Sequence, residues 1–398
     1  MKKLPLVMAL AASSLCGAAS AQTVQVYGKL YPFLISESGS GASNATAPTS
    51  TLITQGNGVN GMPSIKGMVS GNSRLGFRGK EDLGGGLKAV FQVEGVVAVD
   101  DGSAAGFAFD RDGFVGLEGS FGKLRLGNMD TIFKEYGDTL GILGVSSGTF
   151  LSTSNILRKP GFGTSNTARF HDRRANSIQY ESPELSGFQL GIQVSPDEVK
   201  TATRNLSLIS VGLKYDQGPI YLAIAHEIHN DYFGGSAQAR SSLRNSADQN
   251  ARSKDTATQF TIEWRMNKQH KFELDVIRKN YNETGGVAGR FANYSNMAYQ
   301  VSMENRWSDK WRTAAHYVKS NAGSCSLIGG AACSTVGLEG SKATFAGSYY
   351  LSRRTQAFAG VSKITNGSSA RFSSNALANR TNPGEDLTQY AMGLAHSF

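Results

Sequence analysis

The chain has 398 residues, with 40 Lys or Arg against 31 Asp or Glu, so its formal net charge is +9. Apolar residues make up 40% of a chain with only 9 prolines, which excludes a disordered protein, and no apolar run after Gln22 is long enough for a transmembrane helix. An excess of positive charge is compatible with binding to nucleic acid, to acidic surfaces or to anionic solutes. We expect no nucleic-acid partner, because the sequence has no recognition helix or nucleic-acid-binding motif.

The first residues have the three parts of a secretory signal peptide. Lys2 and Lys3 form the positive end, an apolar stretch follows from Leu4 to Leu15, and Ala19-Ser20-Ala21 supplies small residues for cleavage. The pattern predicts a signal peptide over 1–21 and one exported domain over 22–398. Removal of the two lysines leaves a formal charge of +7.

After the signal peptide the apolar residues alternate over many short segments separated by Gly, Asn, Asp and Ser, which indicates an all-β fold. Sixteen strands are predicted, an even number, and the connections alternate between short turns and long loops. That alternation is typical of a closed antiparallel transmembrane β-barrel. The predicted strands are 23–36, 63–80, 86–99, 107–118, 121–127, 174–182, 187–195, 205–215, 219–229, 256–266, 269–281, 292–306, 311–320, 341–352, 355–364 and 386–398.

The hairpin from Asn72 to Glu94 has one apolar face and one polar face. Leu75 and Phe77 alternate with Arg74 and Arg78, and successive strand residues point to opposite sides. A charge facing mid-bilayer lipid costs roughly 2–4 kcal/mol, so both arginines are expected in the lumen. The same argument applies to a basic ladder of Lys29, Lys88, Lys123 and Arg125, which either guides anions or is an ordinary solvated wall.

The longest connection, 128–173, lies between the fifth and sixth strands. A loop of this length needs a function or a surface on which to fold. It contains apolar pieces at 140–145 and 150–157, which a purely solvated loop would not carry. We therefore expect this loop to fold into the lumen.

Several motifs together carry a family resemblance. They are Ser73–Ala89 (SRLGFRGKEDLGGGLKA), Phe114–Leu117, Phe121–Gly127 (FGKLRLG), Arg173–Tyr180 (RRANSIQY) and the terminal Phe398. With these motifs the chain resembles the trimeric general porins of Gram-negative outer membranes, of the β-proteobacterial type. The resemblance implies a sixteen-stranded barrel, a homotrimer, and a third loop folded inward as an eyelet.

The resemblance also implies a pore constriction with a basic wall opposite an acidic loop. The matching basic positions are Arg74, Arg111 and either Arg173 or Arg174, with Arg78 on the same wall. Strand parity favours Arg173, because Ile178 and Tyr180 should face lipid. Parity also predicts that Asp110 and Asp112 point away from Arg111. The opposing loop acids are Asp130, Glu135 and Asp138.

These features predict a passive outer-membrane channel for small hydrophilic solutes, with a preference for anions. Two alternatives remain: a channel with a saturable site for phosphate or an organic acid, and a surface or adhesive barrel without an open pore. No catalytic constellation is visible, so we expect neither an enzyme nor a cofactor. His226 and His229 point to opposite faces of one strand, which argues against a metal site.

The expected partners follow from the resemblance and the charge. They are two further copies of the chain, outer-membrane lipid and lipopolysaccharide, small anionic solutes, and the barrel-assembly machinery, which would recognise the last strand ending in Phe398. Cys325 and Cys333 are the remaining cysteines of the exported chain. An even pair in an exported protein suggests a disulfide that closes a short loop, although two free thiols are also compatible with the sequence.

Overall fold

The structure is a computed structural model that describes residues 23–44, 46, 49–102, 109–137, 150–163, 168–374, 377 and 381–398. The predicted signal peptide, 1–21, and Asp138 lie outside the described residues. Among the described residues, no helix is both long enough and apolar enough to cross a membrane.

In the part of the chain that the structure describes, one antiparallel sheet contains sixteen barrel strands, as the sequence predicts. Three strands have an irregular break, because β1, β2 and β13 each consist of two segments. The strands are β1 (Thr23–Leu30 and Phe33–Ser40), β2 (Ile65–Val69 and Arg74–Gly84), β3 (Leu87–Val96), β4 (Gly113–Gly119), β5 (Gly122–Asp130), β6 (Arg173–Glu181), β7 (Phe188–Lys200), β8 (Asn205–Gln217), β9 (Ile220–Asn230), β10 (Arg252–Arg265), β11 (His270–Thr284), β12 (Phe291–Arg306), β13 (Trp311–Ser320 and Ser324–Leu327), β14 (Gly340–Tyr350), β15 (Thr355–Asn366) and β16 (Asp386–Ser397).

The sheet closes on itself through its first and last strands. β16 pairs with both segments of β1, with Leu30 opposite His396 and Leu34 opposite Met392. Phe398 extends the seam, because its backbone N–H donates to Gly28 and its carbonyl accepts from the Gly28 N–H, each at 3.1 Å. A closed sheet leaves no unpaired edge to meet lipid.

The hairpin between β2 and β3 shows why the short turns form. Gly84, Gly85 and Gly86 all have positive φ, a conformation that glycine adopts without steric cost. β2 therefore runs on to Gly84, beyond the predicted end at residue 80. The predicted long loop 196–204 is wrong, because β7 continues to Lys200 and β8 begins at Asn205. Only four residues connect these two strands.

The two faces of the barrel wall differ as the alternation predicts. The outward residues of β16, Tyr390, Met392 and Leu394, are exposed, whereas Leu387 and Gln389 on the inner face are buried. Large apolar side chains stay exposed around the outer wall, where a membrane protein presents them to lipid. Trp307 and Trp311 lie at the turn between β12 and β13, in the position of an interfacial aromatic girdle.

The long connection between β5 and β6 fills part of the barrel interior. Its described residues contain two short helices, α1 (Ile132–Tyr136) and α2 (Ser154–Leu157). Phe133, Leu157 and Phe162 are fully buried in one apolar cluster with wall residues such as Tyr281. The predicted packing of the apolar piece 150–157 on the inner wall is thus present, while 140–145 lies outside the described residues.

Candidate functional site

The first element of the site is a buried carboxylate on β3 that is shared by two arginines. Glu94 is 5% exposed, lies 3.4 Å from the Arg74 guanidinium and forms a close ion pair with Arg111. The Tyr27 hydroxyl donates to Glu94 at 3.0 Å by crossing over Gly76, where a Cβ would lie only 2.6 Å from the Tyr27 ring. Two cations and one anion leave this group with a net positive charge.

Lys29 adds a further cation beside the group around Glu94. It stands directly opposite Arg74 in the pairing of β1 with β2, and its ammonium lies 4.7 Å from the centre of the Tyr31 ring. A residue predicted for the general basic ladder therefore belongs to the same inward patch as Arg74.

A second group centres on Arg173 and joins two strands to the inner loop. Its guanidinium lies 2.6 Å from Asp112 and 2.7 Å from Asp130, and Lys134 of α1 lies 2.9 Å from Asp130. Asp130 is the last residue of β5 rather than a loop residue. A register shift between Gly127 and Met129 precedes it, and it points inward with Arg173.

The parity prediction for Asp112 is wrong. Arg111 and Asp112 both point inward, Arg111 to Glu94 and Asp112 to Arg173. Residues 109–112 lie between strands, so the alternation of sides does not apply to them. Asp110 instead accepts a hydrogen bond from the Val96 N–H at 3.2 Å.

The third group links α1 to the wall through Arg125. Its guanidinium lies 2.8 Å from Glu181 on β6 and 3.2 Å from Glu135 on α1. Arg125 was predicted as a rung of the solvated ladder, and the structure places it instead where the inner loop touches the wall. Its location beside two carboxylates makes it a loop anchor as well as a charged wall residue.

A capping residue at its start and two glycines of the wall hold α1 against β7, β8 and β9. The Thr131 hydroxyl caps the helix by accepting from the Lys134 N–H, and the Phe133 N–H donates to Ser210 at 2.9 Å. Gly191 and Gly212 leave the wall flat under the helix, because a Cβ at either position would come within 2.7 Å of its side chains. α1 is therefore seated at a defined place.

Burial changes the ionisation of Glu135 on this helix. Burial raises the pKa of Glu135 to about 7, the neighbouring Arg125 lowers it, and the Glu181 carboxylate raises it further. The charge of α1 is thus sensitive to pH near neutrality.

The three groups differ in part from the predicted constriction. The sequence predicts a basic wall that faces an acidic loop. In the structure, acidic residues of the wall itself or of the segment between strands also pair with the arginines: Glu94, Asp112 and Glu181. Of these three groups, all built from described residues, the one with an excess of positive charge is that of Arg74 and Arg111, which pair with the single carboxylate Glu94. The arrangement is a row of shared ion pairs with a basic end.

Arg78 lies outside this row. It stands four residues further along β2 toward the short turn, where it donates to Gln25 at 3.0 Å and lies over the Tyr27 ring. Together with Lys80, Lys123 and Glu118 it lines a cavity of about 520 Å³. Lys88 is exposed nearby, opposite Glu118. These residues form a vestibule on the short-turn side of the row.

A family model described as "Gram-negative porin" matches residues 7–369. The chain belongs to the Gram-negative porin family. Outer membrane porin protein 32 of Delftia acidovorans is 35% identical over 184 residues, and an outer membrane porin protein of Bordetella pertussis is 33% identical over 245 residues. The matches cover 45% and 57% of this chain and 50% and 59% of the relatives, so the chain spans little more than half the length of these curated proteins.

Solved structures agree on the fold of this porin. The anion-selective porin from Comamonas acidovorans superposes with a TM-score of 0.71 at 21% identity, covering 95% of this chain and all of that one. OmpF of Salmonella typhi gives a TM-score of 0.56 at 13% identity, with 95% of this chain and 98% of that chain covered. Family membership places the chain in the outer membrane of a Gram-negative bacterium. Both sequence relatives are named as porins rather than as enzymes.

Buried lysines hold the inner loop of this porin at a second place. Lys279 on β11 is 0% exposed and its ammonium donates to the carbonyls of Leu157 and Lys159 at 2.8 and 2.9 Å. Lys342 on β14 donates to the carbonyls of Phe150 and Ser152. The segment 150–163 is thereby tied to the wall on the side away from the ion-pair row.

The structure separates the two arginines that open β6. Arg173 joins the row, while Arg174 lies 3.3 Å from Asp172 and 4.7 Å from the centre of the Tyr232 ring. Sequence reasoning favoured Arg173 from parity, but it missed Glu94, Lys279 and Lys342. The position of Glu94 on the polar face of the β2–β3 hairpin was a signal in the sequence that could have identified it. No sequence pattern identifies Lys279 and Lys342 as loop anchors, because their partners are backbone carbonyls of a loop far away in the chain.

In the structure Cys325 and Cys333 form a disulfide with Cα atoms 5.7 Å apart. Cys325 lies in the second segment of β13, so the bridge fastens the following loop to a strand instead of closing a free loop tip. We expect mass spectrometry of unreduced, alkylated protein to show no labelled thiol at either position. Reduction should barely change barrel stability because the closed loop is short and peripheral. Labelling of both thiols before reduction would contradict the pairing.

Proposed function

We propose that this protein forms a water-filled outer-membrane channel for passive diffusion of small hydrophilic solutes, with a preference for anions. The observation that carries the proposal is the basic end of the row, where Arg74 and Arg111 share the single carboxylate Glu94 and Lys29 stands directly opposite Arg74. Charges in a narrow passage act strongly on passing ions and are screened less than surface charges. The cations of the vestibule, Arg78 and Lys123, extend the same sign of charge toward the short-turn side.

Two kinds of similarity support the channel part of the proposal. The family is that of the Gram-negative porins, and the structural neighbour from Comamonas acidovorans is named an anion-selective porin. We assign the constriction to Arg74, Arg111 and Arg173 on the wall, facing Asp130 at the end of β5 and Glu135 in the inner loop. Glu94, Asp112 and Glu181 complete the constriction by setting how much of the arginine charge stays free.

Assembly and export belong to the same proposal. We infer that residues 1–21 are removed on export and that three copies associate. One solved neighbour, OmpT of Vibrio cholerae, is described in a trimer form. We further infer that the barrel-assembly machinery recognises the strand ending in Phe398, and that lipid and lipopolysaccharide surround the outer wall.

Planar-bilayer recordings of the purified protein test the proposal and separate it from its alternatives. An open diffusive pore gives discrete conductance steps whose size rises in proportion to salt concentration. A saturable anion site gives a conductance that levels off as the anion concentration rises. Absence of any conductance from folded, inserted protein would contradict the channel and favour a surface barrel.

We expect anion preference to depend on pH through Glu135. Its raised pKa, about 7, means that the carboxyl is largely neutral at pH 6 and largely ionised at pH 8. Ionisation adds a negative charge beside the passage, so the anion preference should fall as pH rises through this window. Reversal potentials at pH 6 and pH 8 measure the change. Glu135→Gln should remove most of this dependence, and an unchanged pH profile in that variant would assign it to another group.

A further inference from the structure

Wall side chains hold the inner loop by its backbone as well as by ion pairs. Hydroxyl, amide and ammonium groups on the inner faces of β9, β10, β11 and β14 donate to loop carbonyls. The pairs are Tyr221 with Tyr136 (2.6 Å), Gln259 with Gly137 (2.9 Å), Tyr281 with Ala168 (2.6 Å), Lys279 with Leu157 and Lys159 (2.8 and 2.9 Å), and Lys342 with Phe150 and Ser152. Because every residue offers a backbone carbonyl, these contacts place the loop whatever side chains it carries.

Two of these donors, Lys279 and Lys342, are ammonium groups. They are 0% and 1% exposed, and each joins two carbonyls that lie two residues apart in the loop. A hydrogen bond from a charged donor is roughly twice as strong as a neutral one. A buried ammonium is costly without such partners, so each lysine binds its carbonyls firmly. The lysines thus fix the segment 150–159 at two points along its length.

The wall below the loop is built from small residues. Four neighbouring strands present register partners at one height: Ala314, Ala346, Gly360 and Ala391. The Phe150 ring lies on this row, and a Cβ at Gly360 would come within 3.2 Å of it. Gly191 and Gly212 are register partners in the same way under α1. The loop therefore lies flat against the wall, on a seat made by these small residues and the wall donors.

Outer connections cover the loop on its long-loop side. Arg371, between β15 and β16, donates from its backbone to Gly161 at 2.8 Å and from its guanidinium to Phe162 at 3.1 Å. Leu338, in the connection after β13, packs so closely on Gly161 that a Cβ there would lie 2.1 Å from the Leu338 carbonyl oxygen. Backward movement of the loop meets the wall, and outward movement meets these connections. A loop that leaves its seat therefore moves toward the arginines on the other side of the lumen.

We propose that Lys279 and Lys342 are positioning residues that keep the passage open by holding the inner loop against the wall. This inference rests on the proposed channel function and adds a regulation of its width. The loop lies on the side of β7 to β15, whereas Arg74 and Arg111 lie on the side of β2 to β4. The width between them is the size limit for solutes, charged or uncharged. The lysines act through the loop carbonyls and do not touch the solute.

The test variant is Lys279→Met/Lys342→Met, which keeps the length of both side chains and removes their charge. The control is Lys319→Met/Lys363→Met, which removes two lysines from the outward face of β13 and β15. Loss of four charged hydrogen bonds should lower the time-averaged conductance of a folded channel by at least about twofold. Fast loop motion appears as a smaller step and slow motion as brief closures. The control should conduct as the unaltered protein does, and each single substitution should give an intermediate value.

A second pair of variants displaces the loop without removing charge. Gly191→Ala/Gly212→Ala places Cβ atoms within 2.7 Å of α1 side chains, so α1 should be lifted toward the passage and the conductance step should fall without added closures. Gly347→Ala is the matched control, because its Cβ would meet no described atom closer than 3.7 Å.

Swelling of proteoliposomes in uncharged sugars gives the size limit independently of anion preference. The rate for a trisaccharide relative to a monosaccharide should fall in both test variants and stay unchanged in both controls. Unchanged or increased conductance and trisaccharide rate in folded Lys279→Met/Lys342→Met protein would overturn the proposal, since the loop would then stay seated or leave the lumen. A channel that admits sugars but lacks anion preference would contradict the selectivity alone. Absence of swelling with the unaltered protein would overturn the channel, and this proposal with it.

Discussion

Replacing Arg74 and Arg111 together with Ser is expected to shift the reversal potential toward cation preference. The two arginines share Glu94, so the double substitution turns a group of net positive charge into a lone buried carboxylate. Two charges at about 8 Å from a passing ion each change its energy by several tenths of a kcal/mol even in water. We therefore expect the chloride-to-potassium permeability ratio to fall by about fivefold at 0.1 M salt, where the screening length is about 10 Å. At 1 M salt the shift should be smaller.

A triple variant that adds Glu94→Gln controls for the lone carboxylate. It removes two positive charges and one negative charge, so its selectivity should lie between the unaltered protein and the double variant. It also avoids an unpaired buried charge, which protects folding. Both variants should migrate as folded barrels in unheated gels. Unchanged selectivity across salt concentrations in folded double variant would show that Arg74 and Arg111 do not control ion passage.

Deletion of Phe398 is expected to reduce strongly the amount of folded protein in the outer membrane. The residue contributes both hydrogen bonds that join the chain end to Gly28, and its ring lies over that glycine. Loss of these contacts shortens the seam between β1 and β16 at the short-turn end. Quantitative immunoblotting of membrane fractions, with unheated samples to mark folded barrels, measures the effect. Protein that does assemble should conduct normally, because the Phe398 side chain is exposed on the outward face of the barrel, whereas Lys29 and Arg74 point inward.

Two substitutions sharpen the test of the seam. Phe398→Tyr keeps an aromatic ring and both backbone bonds, so assembly should stay near the unaltered level. Gly28→Val keeps Phe398 but adds a Cβ only 2.4 Å from its ring, so assembly should fall toward that of the deletion. Normal levels of folded protein from the deletion would mean that the seam closes without this residue.

The barrel itself could be predicted because it rests on local patterns. Alternation with a period of two marks every strand, and glycine-rich turns such as Gly84–Gly86 end the hairpins. The inward faces of the β2–β3 hairpin follow directly, so Arg74 and Glu94 were expected on one side of the sheet. The ends of strands were harder to predict. The end of β7 is polar as far as Lys200, so the apolar alternation stops early, but the backbone of β7 still pairs with β8 beyond the part that faces lipid.

The constriction depends on pairs that no local pattern contains. Arg125 and Glu181 are 56 residues apart, and Arg173 and Asp112 are 61 apart. Their meeting requires barrel closure, a register shift before Asp130 and an irregular segment at 109–112. The alternation of side chains between the two faces does not apply to residues 109–112. The distances between the charged partners depend on the geometry of the whole closed sheet. The sequence therefore predicts which charges face inward, but it does not predict how far each arginine is neutralised.

The reversal potential of a single channel under a KCl gradient tests the central claim most directly. The excess of positive charge where Arg74 and Arg111 share Glu94 should let chloride pass more readily than potassium. The reversal potential should therefore have the same sign as the equilibrium potential of chloride. The displacement should grow when both solutions are diluted at a constant ratio, because screening weakens. A reversal potential of the sign set by potassium, or one of zero at every dilution, would contradict the account.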